Sequence, residues 1–116
     1  MANNKGLELL KKGDVGGFNK WIEERRKDGK SALDLNDQNL AGLTLPGVDL
    51  KGVHMNGSNL RKTDLKGADL RKARLRQADL RGTNLQEADL READLRKAKC
   101  KGMVVKKAKL KGARGL

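Results

Sequence analysis

A leucine that returns every five residues, from residue 33 onward, constrains this chain more than any other feature. Of the fifteen five-residue units centred on positions 40 to 110, twelve carry Leu at the centre. Nine carry Asp or Asn one residue before the centre, seven carry Ala two residues before it, and eight carry Gly two residues after it. Charged residues make up 36% of the chain, a composition that by itself would favour a disordered chain. A disordered chain would not need such a regular repeat, so we expect a folded structure.

The five-residue period excludes both regular elements as the way to bury these leucines. A helix would rotate each leucine by about 140° from the last, so the leucines would spiral around the whole surface. A straight strand would send successive leucines to opposite faces. A short extended piece followed by a corner buries them all, because the small residue and the Leu then point inward. We therefore predict a β-solenoid whose coils stack about 4.8 Å apart.

Residues 68–72, Ala-Asp-Leu-Arg-Lys, and residues 78–82, Ala-Asp-Leu-Arg-Gly, resemble the pentapeptide-repeat family. The motif of that family is a small residue, Asp or Asn, Leu, and two variable positions, and the resemblance covers residues 33 to 115. It implies an all-β fold, a right-handed quadrilateral β-helix of about four coils. The motif weakens at Thr44-Leu45-Pro46 and again at Lys99-Cys100 and Val104-Val105.

The first 32 residues differ in character and predict two short helices. A first helix ends at Gly13, and Asp14 is a good N-cap for a second that runs to about Lys27. Phe18, Trp21 and Ile22 fall on one face of the second helix. We expect residues 1–32 to form a helical N-terminal cap on the first coil, with Phe18, Trp21 and Ile22 buried against residues near Leu33 to Leu45. Residues 33–116 are expected to form the β-helix. The alternative is a partner-binding helix that uses Phe18 and Trp21.

The sequence offers no catalytic constellation, so we expect a protein that is not an enzyme. The aspartates recur at five-residue spacing as an outward ladder, most of them followed two residues later by Lys or Arg. We expect solvated ion pairs between them, each of small energy, as in Asp49-Lys51 and Asp69-Arg71. The one histidine, His54, is predicted at the surface, and the one cysteine, Cys100, is predicted inward as a small apolar residue. We predict no catalytic residue, no cofactor and no metal site.

Charge is unevenly distributed along a chain whose net charge is +12. Residues 33–96 are nearly balanced, with eleven Lys or Arg and ten acids, whereas residues 97–116 carry eight Lys or Arg and no acid. A basic end of this kind suits an anionic partner. The candidate contact residues are Lys97, Lys99, Lys101, Lys106, Lys107, Lys109, Lys111 and Arg114.

These features predict a non-enzymatic binding or scaffold protein that contacts a polyanion or an acidic protein through its basic C-terminal coil. One alternative, implied by the resemblance, is a DNA mimic that binds gyrase or topoisomerase as quinolone-resistance members do, but a net charge of +12 disfavours it. A second alternative is a structural module whose basic end only keeps it soluble. We expect no small-molecule substrate and no membrane span, and a monomer or weak homodimer. With no apolar stretch of signal-peptide length, we expect a cytoplasmic location.

Overall fold

Two helices precede the repetitive part of the chain in this computed structural model, which describes residues 4–116. Helix α1 spans Asn4–Lys11 and helix α2 spans Val15–Lys27. The side chain of Asp14 caps α2, since its Oδ1 accepts a hydrogen bond of 2.9 Å from the backbone N–H of Gly17. The predicted second helix is therefore confirmed, with its N-cap. Residues 1–3 of the predicted cap lie outside the described residues.

From residue 34 onward the chain forms single parallel β-bridges rather than longer strands. Each bridge joins residues twenty apart, from Asp34 with His54 to Asp94 with Arg114. The backbone N–H of Leu35 donates to the His54 carbonyl at 2.7 Å, and the N–H of His54 donates to the Leu33 carbonyl at 2.9 Å. Each coil is thus hydrogen-bonded to the next, and the same register continues through Lys99 and Val104, where the sequence motif weakens.

The corner between two sides of a coil contains a residue in the left-handed backbone region, two positions after each centre. At Gly82, with φ of 71°, glycine adopts this conformation without a steric penalty. At Lys72 and Gln77 a residue with a Cβ adopts it too, with φ of 60° at each. The turn is closed by the N–H of the residue that follows, as Ala73 donates to the Leu70 carbonyl at 3.1 Å. The corner conformation is therefore imposed by coil stacking even where glycine is missing.

The central residues point inward and form the core. The prediction that the middle leucines are inaccessible is confirmed, because each of them has 0% exposure: Leu60, Leu65, Leu70, Leu75, Leu80, Leu85, Leu90 and Leu95. Small residues fill the space between these side chains. Two of them are threonines whose hydroxyls donate across coils, Thr63 to the Leu40 carbonyl at 2.8 Å and Thr83 to the Leu60 carbonyl at 2.6 Å. No polar hydroxyl of this pair is left without a partner in the core.

Helix α2 contacts the coil that contains residues 47–51. The side chain of Asn19 donates to the Gly47 carbonyl at 3.1 Å and accepts from the backbone N–H of Asp49 at 2.7 Å. Arg26 forms a two-point contact with the Asp49 carboxylate, at 2.6 and 3.0 Å, and also donates to the Lys51 carbonyl at 2.8 Å. The helix is thus bonded to the backbone edge of this coil as well as packed against it.

The apolar face of α2 is only partly as expected. Phe18 and Ile22 are buried in the same core cluster as Leu33, as predicted. Trp21 was expected to be buried too, but it is half-buried: its ring lies 5.8 Å from that of Phe18, and the Arg25 guanidinium lies 5.7 Å from the ring centre. The tryptophan ring lies at the rim of the core, where it packs against Gly6 of α1.

Candidate functional site

The basic side chains of the solenoid fall into two classes, and the first is neutralised by the chain itself. Arg71 lies two residues after Asp69 and donates two hydrogen bonds to its carboxylate, from Nε to Oδ1 at 2.9 Å and from Nη2 to Oδ2 at 2.7 Å. The same Oδ1 accepts the backbone N–H of Arg71 at 3.1 Å, which fixes the carboxylate in place. We call this arrangement a carboxylate fork. It recurs at Asp79–Arg81, Asp89–Arg91 and Asp94–Arg96.

The forks hold their carboxylates in the charged form. The hydrogen bonds from Arg81 lower the pKa of Asp79 to about 2, in spite of partial burial that opposes the change. Arg91 and Arg96 do the same for Asp89 and Asp94, whose pKa values are also about 2. Each forked arginine therefore carries a matched negative charge at neutral pH and has little net attraction for a further anion.

The first unit of this ladder departs from the sequence expectation. Asp49 was predicted to pair with Lys51, but its carboxylate is taken by Arg26 of helix α2 at 2.6 Å. The Lys51 side chain makes no ion pair with Asp49, and only the backbone N–H of Lys51 donates to Asp49 Oδ1, at 3.2 Å. Spacing along the chain could not predict this outcome, because the competing arginine comes from a helix twenty-three residues earlier.

The second class of basic side chain has no fork, and all eight predicted contact residues belong to it. All eight are exposed, and within residues 4–116 none of them makes an ion pair with a carboxylate. The twenty-residue register places them on all four sides of the coil formed by residues 97–116. We call this set the C-terminal basic ring: Lys97, Lys99, Lys101, Lys106, Lys107, Lys109, Lys111 and Arg114.

The ring arises because lysine replaces aspartate at the outward position of the motif. Lys99 bridges to Asp79 and Lys109 bridges to Asp89, so each lysine stacks on the aspartate of the preceding coil. Two residues further on, Lys101 and Lys111 stand where a forked arginine would be, but they follow a lysine instead of a carboxylate. The last coil therefore displays its charge outward and contains no Asp or Glu of its own, and the nearest carboxylates belong to the preceding coil, where Lys109 helps to lower the pKa of Asp89.

Several cations of the body also have no fork, and Arg74 and Arg76 are two of them that the sequence analysis does not assign to the contact surface. Both are exposed, and within the described part of the chain neither side chain makes an ion pair. Arg74 bridges to His54 in the preceding coil and to Asp94 in the following coil. Because Asp94 bridges in turn to Arg114, Arg74 and Arg114 lie on the same face of the solenoid. The signal was present in the sequence, since Arg74 occupies an outward position that carries Asp or Asn in most units.

The remaining candidate groups are the one histidine and the one cysteine of the chain, His54 and Cys100. His54 is half-buried on an outward position, and Cys100 is half-buried on an inward one. Burial raises the pKa of the Cys100 thiol, which favours the unreactive protonated form. Among residues 4–116 no three His, Cys, Asp or Glu side chains cluster as a metal site would need, and no helix there is long and apolar enough to cross a membrane.

Comparison with known families identifies the repeat. The model for pentapeptide repeats matches in eight copies over residues 34–72 and 73–113. The chain belongs to the pentapeptide-repeat family. Pentapeptide-repeat proteins fold as right-handed β-helices and are typically structural or binding scaffolds rather than enzymes.

Solved pentapeptide-repeat proteins include several that resemble this one. The protein alr5209 from Nostoc PCC 7120 is 34% identical, with a TM-score of 0.61 and 72% of each chain covered. HetL from Nostoc PCC 7120, a protein involved in the regulation of heterocyst differentiation, is 26% identical with a TM-score of 0.41, over 71% of this chain and 53% of HetL. QnrB1, a plasmid-mediated fluoroquinolone resistance protein, is 15% identical with a TM-score of 0.35, over 69% of this chain and 59% of QnrB1. At these TM-scores neither HetL nor QnrB1 bears on the partner of this protein. No curated protein matches the chain.

Proposed function

We propose that this pentapeptide-repeat protein is a non-enzymatic binding scaffold whose contact surface is the C-terminal basic ring. The partner is a polyanion or an acidic face of another protein. The observation that carries the proposal is the contrast between the two classes of cation. Most arginines of the body are neutralised by carboxylate forks, whereas the eight cations of the ring are exposed and have no carboxylate partner within residues 4–116.

The proposal assigns different roles to the two parts of the chain, the helical segment and the coils. Residues 33–116 form about four coils, and residues 1–32 cap the first of them. Three contacts of α2 support the cap. In later coils two of these groups bond to the neighbouring coil: the N–H of Asp69 donates to the Val48 carbonyl at 3.0 Å, and the Arg71 carbonyl accepts from Gly52 at 2.9 Å. In the first coil, Asn19 supplies the missing partner of the Asp49 N–H and Arg26 that of the Lys51 carbonyl. Asn19 also donates to the Gly47 carbonyl.

Salt-dependent binding to duplex DNA tests the function. With about six phosphates neutralised, affinity should fall by about three orders of magnitude between 50 and 200 mM salt. Little sequence preference is expected, because lysine makes point-charge contacts. Replacing Lys106, Lys107, Lys109 and Lys111 by Gln should remove most of the binding. The matched control replaces Lys11, Lys12, Lys20 and Lys27 by Gln, which lowers the net charge equally but leaves the ring intact.

The alternative of a solubilising end predicts a different result. If wild type and both variants bind polyanions equally, or if none binds at 50 mM salt, the ring is no contact site. Lower solubility of the ring variant alone would then identify a solubilising end. The DNA-mimic alternative needs an acidic surface, which a chain of net charge +12 with a basic last coil does not offer.

A further inference from the structure

One side of the solenoid extends the basic ring into the body of the protein, and we propose that it binds the phosphate chain of a polyanion. We call this surface the basic strip, and it consists of Arg74, Arg76, Lys97 and Arg114. The inference rests on the proposed function, since it assumes that the protein binds anions. It goes further by adding two residues outside the last coil and by naming the chemistry of the partner.

The geometry of the strip follows from the bridges. Arg74 bridges to Asp94, which bridges to Arg114, so the two arginines lie two coils apart in one straight column. At about 4.8 Å per coil this separation is about 10 Å, and Arg76 lies about 6–7 Å along the same side from Arg74. A shallow cavity of about 380 Å³ lies between Arg74 and Arg114 at the edge of this side. The strip is therefore a regular array of cations beside a hollow.

The acids near the strip offset only part of its charge, although Arg76 is close enough to Asp94 to help lower the pKa of that carboxyl. Asp94, between Arg74 and Arg114, is held in a fork by Arg96 at 2.9 and 2.7 Å. Glu92 also lines the cavity, together with Lys72, so the corner carries one charge of each sign. The four cations of the strip make no ion pair with any carboxylate in residues 4–116. They remain available to an outside anion.

A densely charged phosphate chain fits this array better than an acidic peptide does. Exposed contacts between single carboxylates and Lys or Arg contribute little, because water and salt screen them. A phosphate chain carries condensed counterions, and each contact releases some of them, which favours binding at low salt. The guanidinium groups of Arg74 and Arg76 also match phosphate geometry with two parallel N–H donors each. The strip thus favours a phosphate polyanion, either a nucleic acid backbone or linear polyphosphate.

The test compares two double variants that remove the same charge from different classes of arginine. The double variant Arg74→Gln/Arg76→Gln removes unforked arginines of the strip, and Arg71→Gln/Arg91→Gln removes forked ones from another side. Binding of each full-length protein to duplex DNA and to linear polyphosphate is measured by competition over a series of salt concentrations. The strip variant should lower the slope of log K against log salt by about two units, as expected for two lost phosphate contacts. The forked variant should change the slope by less than half as much.

The outcomes separate this inference from the proposed function. If wild type binds and the salt dependence of binding falls equally in both double variants, net charge alone governs binding. That result would overturn the proposal of a basic strip and leave the proposed function standing. If wild type binds neither probe at low salt, both fail. Polyglutamate binding as tight as polyphosphate of equal length would overturn the preference for phosphate. Binding of polyphosphate and DNA alike supports a general phosphate site, and binding of DNA alone assigns the strip to nucleic acid. Thermal unfolding of both variants checks that the fold is retained.

Discussion

The substitution Leu80→Ala, compared with Leu110→Ala, tests the claim that the stacked coils enclose a rigid leucine core that cannot collapse into a cavity. Both leucines occupy the centre of a unit, and the two differ in burial. Leu80 has 0% exposure and lies between coils, whereas Leu110 in the last coil has 39% exposure. The same chemical change is therefore made at two equivalent positions of the repeat, one enclosed and one open to water.

The expected magnitudes follow from the burial of each side chain. Leu→Ala removes three carbons, which costs about 2.4 kcal/mol of lost transfer free energy when the side chain is fully buried. At Leu80 the coils above and below are fixed by backbone hydrogen bonds, so a cavity remains and raises the cost to about 3–4 kcal/mol. At Leu110 only part of the side chain is buried and water can enter, so the cost should be about 1–1.5 kcal/mol.

The assay is equilibrium urea unfolding of wild type and both variants, with the free energy of unfolding compared at constant m-value. A shared m-value is needed because a repeat protein can lose cooperativity between its coils. The expected difference between the two variants is about 2 kcal/mol. If Leu80→Ala costs less than about 1 kcal/mol, or no more than Leu110→Ala, the claim of a rigid leucine core is wrong.

Four further predictions follow from the helices, the forks and the corners. Deleting residues 1–30 should expose the first coil and cause self-association in size-exclusion chromatography, and a truncated protein that stays monomeric and equally heat-stable would argue against a cap. Because forks lower the pKa values of Asp79, Asp89 and Asp94 to about 2 from the usual 3.8, their stabilisation should be complete above about pH 4 and lost as the pH falls through 2. Urea midpoints measured between pH 5 and pH 2 should fall, and the triple Asp→Asn variant should show a smaller fall; equal slopes would contradict the fork assignment. Lys72→Gly should raise the free energy of unfolding by about 0.5–1 kcal/mol, because glycine adopts φ of 60° without strain. Gly82→Ala should lower it by about 1 kcal/mol, and a gain there would show that the corners are not strained.

The five-residue period by itself determined the solenoid and the direction of its side chains. A residue type that recurs at every fifth position needs the same environment each time, and only a stack of similar coils provides it. For that reason the burial of Leu60 to Leu95 and the outward aspartate ladder could be predicted without coordinates. The C-terminal basic ring could be proposed for a similar reason, since eight cations without an acid cannot pair locally.

The tertiary structure decided which charges meet, because that depends on residues twenty apart and on the position of the helices. Asp49 was expected to pair with Lys51 two residues away, but Arg26 of α2 reaches it first. Trp21 was expected in the core, but it lies at the rim, where its ring packs against Gly6 of α1 and beside the Arg25 guanidinium. Arg74 and Arg76 are single exceptions within a regular repeat, and the sequence alone does not show which residues lie beside them. Stacking places Arg74 in one column with Asp94 and Arg114. Because Asp94 is bonded to Arg96, it does not form an ion pair with either arginine of the column. The five-residue period determines whether a side chain points inward or outward, and the stacking of coils and helices determines which side chains it contacts.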